Sequence, residues 1–200
     1  MRKRPFITFC LALLAAAVIG FGYFSWNASI RKDKGELPRY GLAPPFDLKD
    51  QNGASVDNER LRGKIWVANF LDLAEPGSSA LLGSSFAELD RNFQKAERLI
   101  LISIVIPTAD RDEPRLIDLS RRYLASSHWH FLSGEPRLLQ IVQDRWKSLV
   151  SASADGSTTF RALFLVDSEG VVRGVYDWRS PEMVQRVLED IGTLLRTSIN

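Results

Sequence analysis

The chain has 200 residues, 45% of them hydrophobic and 25% charged, with 26 basic and 24 acidic side chains and one cysteine. That length holds one domain with a real core plus an appendage, and the composition excludes a wholly disordered chain. Three of the basic residues, Arg2, Lys3 and Arg4, stand in the first four positions, so residues 31–200 carry 23 basic against 24 acidic groups, and the overall excess of +2 is no argument for nucleic-acid binding.

In chain order, the first element is an uncharged run of 22 residues from Pro5 to Trp26, behind the basic tail 1–4. As a helix it would be about 33 Å long, close to the roughly 30 Å hydrocarbon layer of a bilayer. The positive-inside rule leaves residues 1–4 in the cytoplasm and the remainder of the chain on the extracytoplasmic, periplasm-like side, with Tyr23 and Trp26 at the interface. A cleaved signal peptide is the rival reading; it calls for a shorter apolar core and a small-x-small site, which "YFSWNAS" lacks. The expectation is therefore an uncleaved single-pass signal anchor, in which Cys10, preceded by the bulky Phe9, is a buried hydrophobe rather than a lipidation site.

Residues 27–45 read as a polar linker ending in Pro44-Pro45. "FDLKDQNGASVD" predicts a hairpin turning at Asn52-Gly53, since both residues tolerate positive φ. Ile65 to Leu71 and "LILISIVIP" (99–107) are short apolar runs suited to strands buried on both faces. Between them Leu82, Phe86, Leu89, Phe93 and Ala96 recur at helical spacing. A helix with Leu116, Leu119 and Leu124 inward follows, then a short strand in "WHFLSG" and a helix in "EPRLLQIVQDRWKSLV". "FRALFLVDSEGVVRGVY" is strand, tight turn, strand, and Ser180-Pro181-Glu182 reads as the start of a last helix, with Ser180 as cap, Pro181 at the first helical position and an acid in the first turn, the helix bearing Met183, Val187, Ile191, Leu194 and Leu195. Strands alternating with helices imply parallel pairing and the tight turn one antiparallel pair, an α/β thioredoxin-like domain over 46–197 with a central mixed sheet and an N-terminal hairpin.

The stretches "FDLKDQNG", "LRGKIWVANF", "WHFLSG", "FLVDSEGVVRGVYD" and "SPE", in this order behind an anchor, resemble the Sco/SenC family over roughly residues 41–196. The resemblance implies a membrane-anchored thioredoxin-like domain linked to copper handling in cytochrome c oxidase assembly. That family places two cysteines four apart after the first core strand and a histidine eight residues before the aspartate of the "LVD" turn. Two thiolates and an imidazole suit copper. Carried onto this chain, those positions are Glu75, Ser79 and Thr159, so none of the three ligands is present. The segment "SIVIPTADRDEP" also runs longer than the family pattern.

With its one cysteine in the apolar run, the exported part has no thiol for redox exchange or soft-metal binding. Asp72, Glu75, Ser79 and Thr159 offer oxygen donors that suit hard cations, and otherwise serve the helix start, Glu75 facing the dipole and Ser78 or Ser79 capping. His128 and His130, two apart on a strand, would share a face and could bind a metal together, and otherwise are solvated or core-edge histidines; they, or the Asp72/Glu75 corner, supply the alternative ligands. The acidic run Asp110 to Glu113 reads as a solvated helix start, and "EPGSSALLG" does not match a nucleophile motif. Of the four exported tryptophans, Trp66, Trp129 and Trp146 are expected in the core and Trp178 at a partner surface. The expectation is a non-catalytic assembly or interaction factor with a degenerate site and no cofactor of its own, held in the membrane by Pro5–Trp26. Its partners would be proteins, a respiratory oxidase or its assembly factors among them; nucleic acid is excluded. The alternative is a copper-handling protein with substituted ligands.

Overall fold

A computed structural model describes residues 36–107, 116–151 and 162–197. The chain forms two units, Met1–Leu37 and Pro38–Asn200, and every element below belongs to the second. The expected anchor 5–26 lies outside the described residues; among these, no helix is long and apolar enough to cross a membrane.

In chain order the elements are β1 (Gly41–Leu42), β2 (Asp47–Lys49), β3 (Ser55–Asp57), β4 (Ile65–Asp72), α1 (Pro76–Phe93), β5 (Leu99–Ile106), α2 (Leu116–Arg122), β6 (Trp129–Leu132), α3 (Pro136–Ser151), β7 (Ala162–Val166), β8 (Val171–Asp177) and α4 (Met183–Thr197). A six-stranded sheet runs β1-β8-β7-β4-β5-β6, and β2 and β3 form a separate hairpin. The pairs β4–β5 and β5–β6 are parallel, while β4–β7, β7–β8 and β1–β8 are antiparallel. This is the mixed sheet expected, and the fold is thioredoxin-like.

The runs Ile65–Leu71 and Leu99–Ile106 form the sheet centre because both their faces are covered. On one face Trp66, Ala68 and Phe70 pack with Phe46 and Leu48 of the hairpin region and Leu139, Val142 and Trp146 of α3. Trp146 is the hub there: its ring centroid lies 5.8 Å from Trp66, 6.1 Å from Phe70 and 4.7 Å from Phe164, all edge-on, the arrangement aromatic quadrupoles favour. The alternate residues Ile65, Val67, Asn69 and Leu71 take the other face, where α1 and α4 lie against β4. The tight turn between β7 and β8 is set by Asp167, whose Oδ1 accepts from the N–H groups of Glu169 (3.0 Å) and Val171 (2.9 Å).

Several expectations need correction. Residues 38–45 are not tether: Tyr40 N–H donates to Val172 O (2.9 Å), Gly41 and Leu42 pair with Val172 and Val171, and Ala43 is buried. Arg173, in a buried ion pair with Asp167 (3.0 Å), also donates from Nε to Pro38 O (2.9 Å), which sews this segment to the sheet. Ala96 falls in the turn after α1, whose helix stops at Phe93. Leu116 and Leu119 are half-buried, whereas Leu124 is 87% exposed. Ser180 does not cap α4: its carbonyl accepts from Met183 N–H in a turn, and the helical ladder starts with Arg186 N–H on Glu182 O (3.0 Å).

Candidate functional site

The chain leaves β4 at Asp72 and enters α1 at Pro76, and local hydrogen bonds build that corner. Asp72 Oδ1 accepts from Ala74 N–H (2.9 Å), and Asp72 O accepts from Glu75 N–H (3.0 Å) and from the Ser79 hydroxyl (2.6 Å). Pro76 supplies the fixed φ favoured in a first helical turn. Glu75, at φ −119° and ψ 71°, is itself the residue preceding the helix, and its carbonyl takes the first helical bond from Ser79 N–H (3.1 Å). Neither Ser78 nor Ser79 is the cap that the sequence suggests. Ser78 lies a turn further on, with its hydroxyl 3.1 Å from Glu75 O and 3.3 Å from Glu75 Oε2.

The two positions to which the family resemblance assigns the cysteines differ in environment. Glu75 is exposed, while Ser79 is buried and its hydroxyl hydrogen is spent on the backbone. Thr159 lies outside the described residues, as do Asp110 to Glu113.

The histidines stand elsewhere. Asp72 pairs in register with Ile106 of β5, whereas His130 pairs with Ile102, four residues earlier. At about 3.3 Å per residue His130 lies some ~13 Å down the sheet and two strands across from the corner. His130 Nδ1 is 3.1 Å from Asp50 Oδ2, and His128 N–H donates to Ser126 Oγ (3.2 Å). Burial pushes the Asp50 carboxyl up, but the N–H groups of Asn52 and Ala54 and the adjacent His130 outweigh it and hold the group below its ordinary value. Among the described residues no three His, Cys, Asp or Glu side chains form a group able to hold a metal ion.

Two features were not legible in the sequence. Asn69, on β4 three residues before the corner, is fully buried, with neither side-chain polar atom hydrogen-bonded. Its register partner is Ser103, whose hydroxyl accepts from Trp129 Nε1–H (3.0 Å). The second is an aromatic stack on the same side as α1: Tyr123 lies 5.6 Å from Trp129 and 6.3 Å from Phe131, which lies 4.8 Å from Trp129. Burial raises the Tyr123 hydroxyl above its ordinary range, partly offset by Arg122. Trp178 is half-buried with its Nε1 enclosed, and the Arg179 guanidinium sits 5.7 Å from its ring centroid.

A mixed sheet with an N-terminal hairpin, helices on both faces and a strand-to-helix corner at the end of the central strand defines the thioredoxin-like class. Within that class the structure is similar to Sco/SenC proteins. One is BsSco, a member of the Sco family of cytochrome c oxidase assembly proteins, at 19% identity and TM-score 0.58 over 80% of this chain and 96% of that one. Another is Bradyrhizobium japonicum ScoI with copper bound, at 22% identity and TM-score 0.55 over 77% of this chain and 99% of that one. A thiol-disulfide oxidoreductase thioredoxin domain from Bacteroides vulgatus is similar as well, at 17% identity and TM-score 0.56 over 78% and 99%. Neither a protein-family model nor a curated protein sequence matches the chain.

Proposed function

We propose that this is a Sco/SenC-type domain, anchored in the membrane by Pro5–Trp26 with its folded part on the extracytoplasmic side, whose copper and redox site has been vacated. It acts by binding proteins, as a non-catalytic factor in respiratory oxidase maturation. The similarity to BsSco supports the pathway. The observation that carries the reading is the fate of the inherited positions: an exposed carboxylate at Glu75 and a buried hydroxyl at Ser79 already bonded to Asp72 O.

Copper does not fit these residues. Cu(I) selects soft sulfur, and the described corner offers only oxygen. Thiol exchange needs a thiolate, and the one cysteine, Cys10, lies in the apolar run.

The alternative reading puts copper on His128 and His130; it is supported only by their spacing, and Asp50 already occupies His130 Nδ1. Full-length protein in detergent, loaded with copper and desalted, should retain none above a blank by elemental analysis. One copper per chain would overturn the proposal, and its loss in a His128→Ala, His130→Ala variant would establish the alternative.

A further inference from the structure

Asn52 and Gly53 lie at the tip of the β2–β3 hairpin, and both are exposed. Asn52 is the one asparagine of the chain that a glycine follows. That order matters chemically. The amide nitrogen of the next residue can attack an asparagine side-chain carbonyl carbon, and glycine has no Cβ to obstruct the approach. A Cβ at Gly53 would meet nothing within 4 Å, so the tip is open to water. The other described asparagines differ. Asn58 is half-buried, precedes Glu59 and accepts on its Oδ1 from Phe46 N–H (2.9 Å). Asn69 is buried in β4 and Asn92 lies in α1, each followed by phenylalanine.

The turn itself opposes the attack. Gly53 N–H donates to Asp50 O (2.9 Å), and Asp50 Oδ1 accepts from Asn52 N–H (2.8 Å) and Ala54 N–H (2.9 Å). The peptide group between Asn52 and Gly53 must rotate before its nitrogen faces Asn52 Cγ, and that rotation breaks the Gly53 bond. Gln51 pins the same turn to β6, its Oε1 accepting from Phe131 N–H (2.9 Å) and its Nε2 donating to Trp129 O (3.3 Å).

We propose that Asn52 is a site of spontaneous modification, held back by this turn. When the turn opens, the Gly53 nitrogen bonds to Asn52 Cγ, the Cγ–Nδ2 bond breaks, and ammonia leaves with the Gly53 amide proton. Water then opens the cyclic imide at one carbonyl or the other, giving aspartate or isoaspartate; nothing is oxidised or reduced. Isoaspartate routes the main chain through Cγ and lengthens it by one methylene, so Asp50 can no longer hold both the 52 and 54 amides. Local opening is fast beside this chemistry, and the conversion rate therefore follows the open fraction of the turn.

The test incubates full-length protein in detergent at mildly alkaline pH and follows each asparagine by peptide mass spectrometry with isoaspartate-specific methyl labelling. Product should form at Asn52 and not at Asn58 or Asn92, roughly 5- to 10-fold more slowly than in the same chain unfolded in guanidinium, as the loss of one or two turn hydrogen bonds requires. Gln51→Ala loosens the tip without touching the reacting pair and should quicken conversion in the folded chain by roughly 3-fold. Amide exchange at Ala54 should rise in the isoaspartate form. Equal rates in the native and unfolded chains, or in wild type and the folded variant, overturn the gating. Absence of product at Asn52 in the native protein by the time the unfolded chain has fully converted overturns the site, and that comparison needs no variant.

Discussion

Leu124 is a leucine in the wrong place for its chemistry. It follows α2 at φ 54°, where its N–H donates to Arg121 O (3.2 Å) and Ala125 N–H donates to Ser120 O (3.0 Å). That pair of bonds is a Schellman ending, whose left-handed residue is usually glycine. A side chain with a Cβ there costs roughly 1–2 kcal/mol, and this one is 87% exposed, so it returns little by packing. Leu124→Gly should stabilise the domain by about 1 kcal/mol and raise Tm by roughly 2–4 °C in a thermal melt; a lower Tm would mean the exposed side chain is holding something. The spacing had hinted at this, since Leu119 to Leu124 is five residues and a helical stripe needs three or four.

Helix α1 shows how an element depends on a neighbour that no local pattern reveals. Gly83 lies in its middle, where glycine weakens a helix by about 1 kcal/mol relative to alanine. The reason is the Tyr123 ring, which rests directly on the Gly83 backbone; a Cβ at Gly83 would overlap its Cζ, Cε1 and hydroxyl. Gly83→Ala should therefore destabilise by about 1–3 kcal/mol in urea unfolding, with loss of near-ultraviolet signal from the Tyr123–Trp129 pair; unchanged stability would show that the ring moves aside freely. The helix starts differ from the expected serine caps for a related reason. Serine is the better cap by propensity, but here bonds from the Asp72 corner and the turn at Ser180 set the first helical carbonyls at Glu75 and Glu182.

Across the molecule, the hairpin and β6 are joined by residues 80 apart in sequence, Asp50 with His130 and Gln51 with Phe131. Asp50 is buried, its Oδ1 accepts from Asn52 N–H (2.8 Å) and Ala54 N–H (2.9 Å), and its carboxyl is held below the ordinary value. A depressed carboxyl contributes stability that is complete above its unfolded pKa, about 4, and lost as pH falls through the folded value. Wild type should thus exceed Asp50→Asn in urea midpoint at pH 6, with the advantage shrinking below about pH 4. An advantage unchanged at pH 3 would refute the carboxylate's role. The same long-range logic governs the Arg173–Asp167 pair and its hold on Pro38, which turned an apparent linker into an edge strand.

The sequence by itself determined the order of strands and helices, because apolar runs of strand length and stripes of helical spacing are properties of short windows. It also determined which residues stand where the family resemblance puts the ligands, since Glu75, Ser79 and Thr159 are identities and need no coordinates. Only the tertiary structure decided how those identities are used: that Ser79 is spent on Asp72 O, that His130 belongs to Asp50 and stands away from the corner, and that the Gln51 side chain binds Phe131 N–H and Trp129 O. Each of these is a hydrogen bond whose partner is chosen by where the backbone passes. Residue type says only that a donor or acceptor must be satisfied, and the fold says by whom.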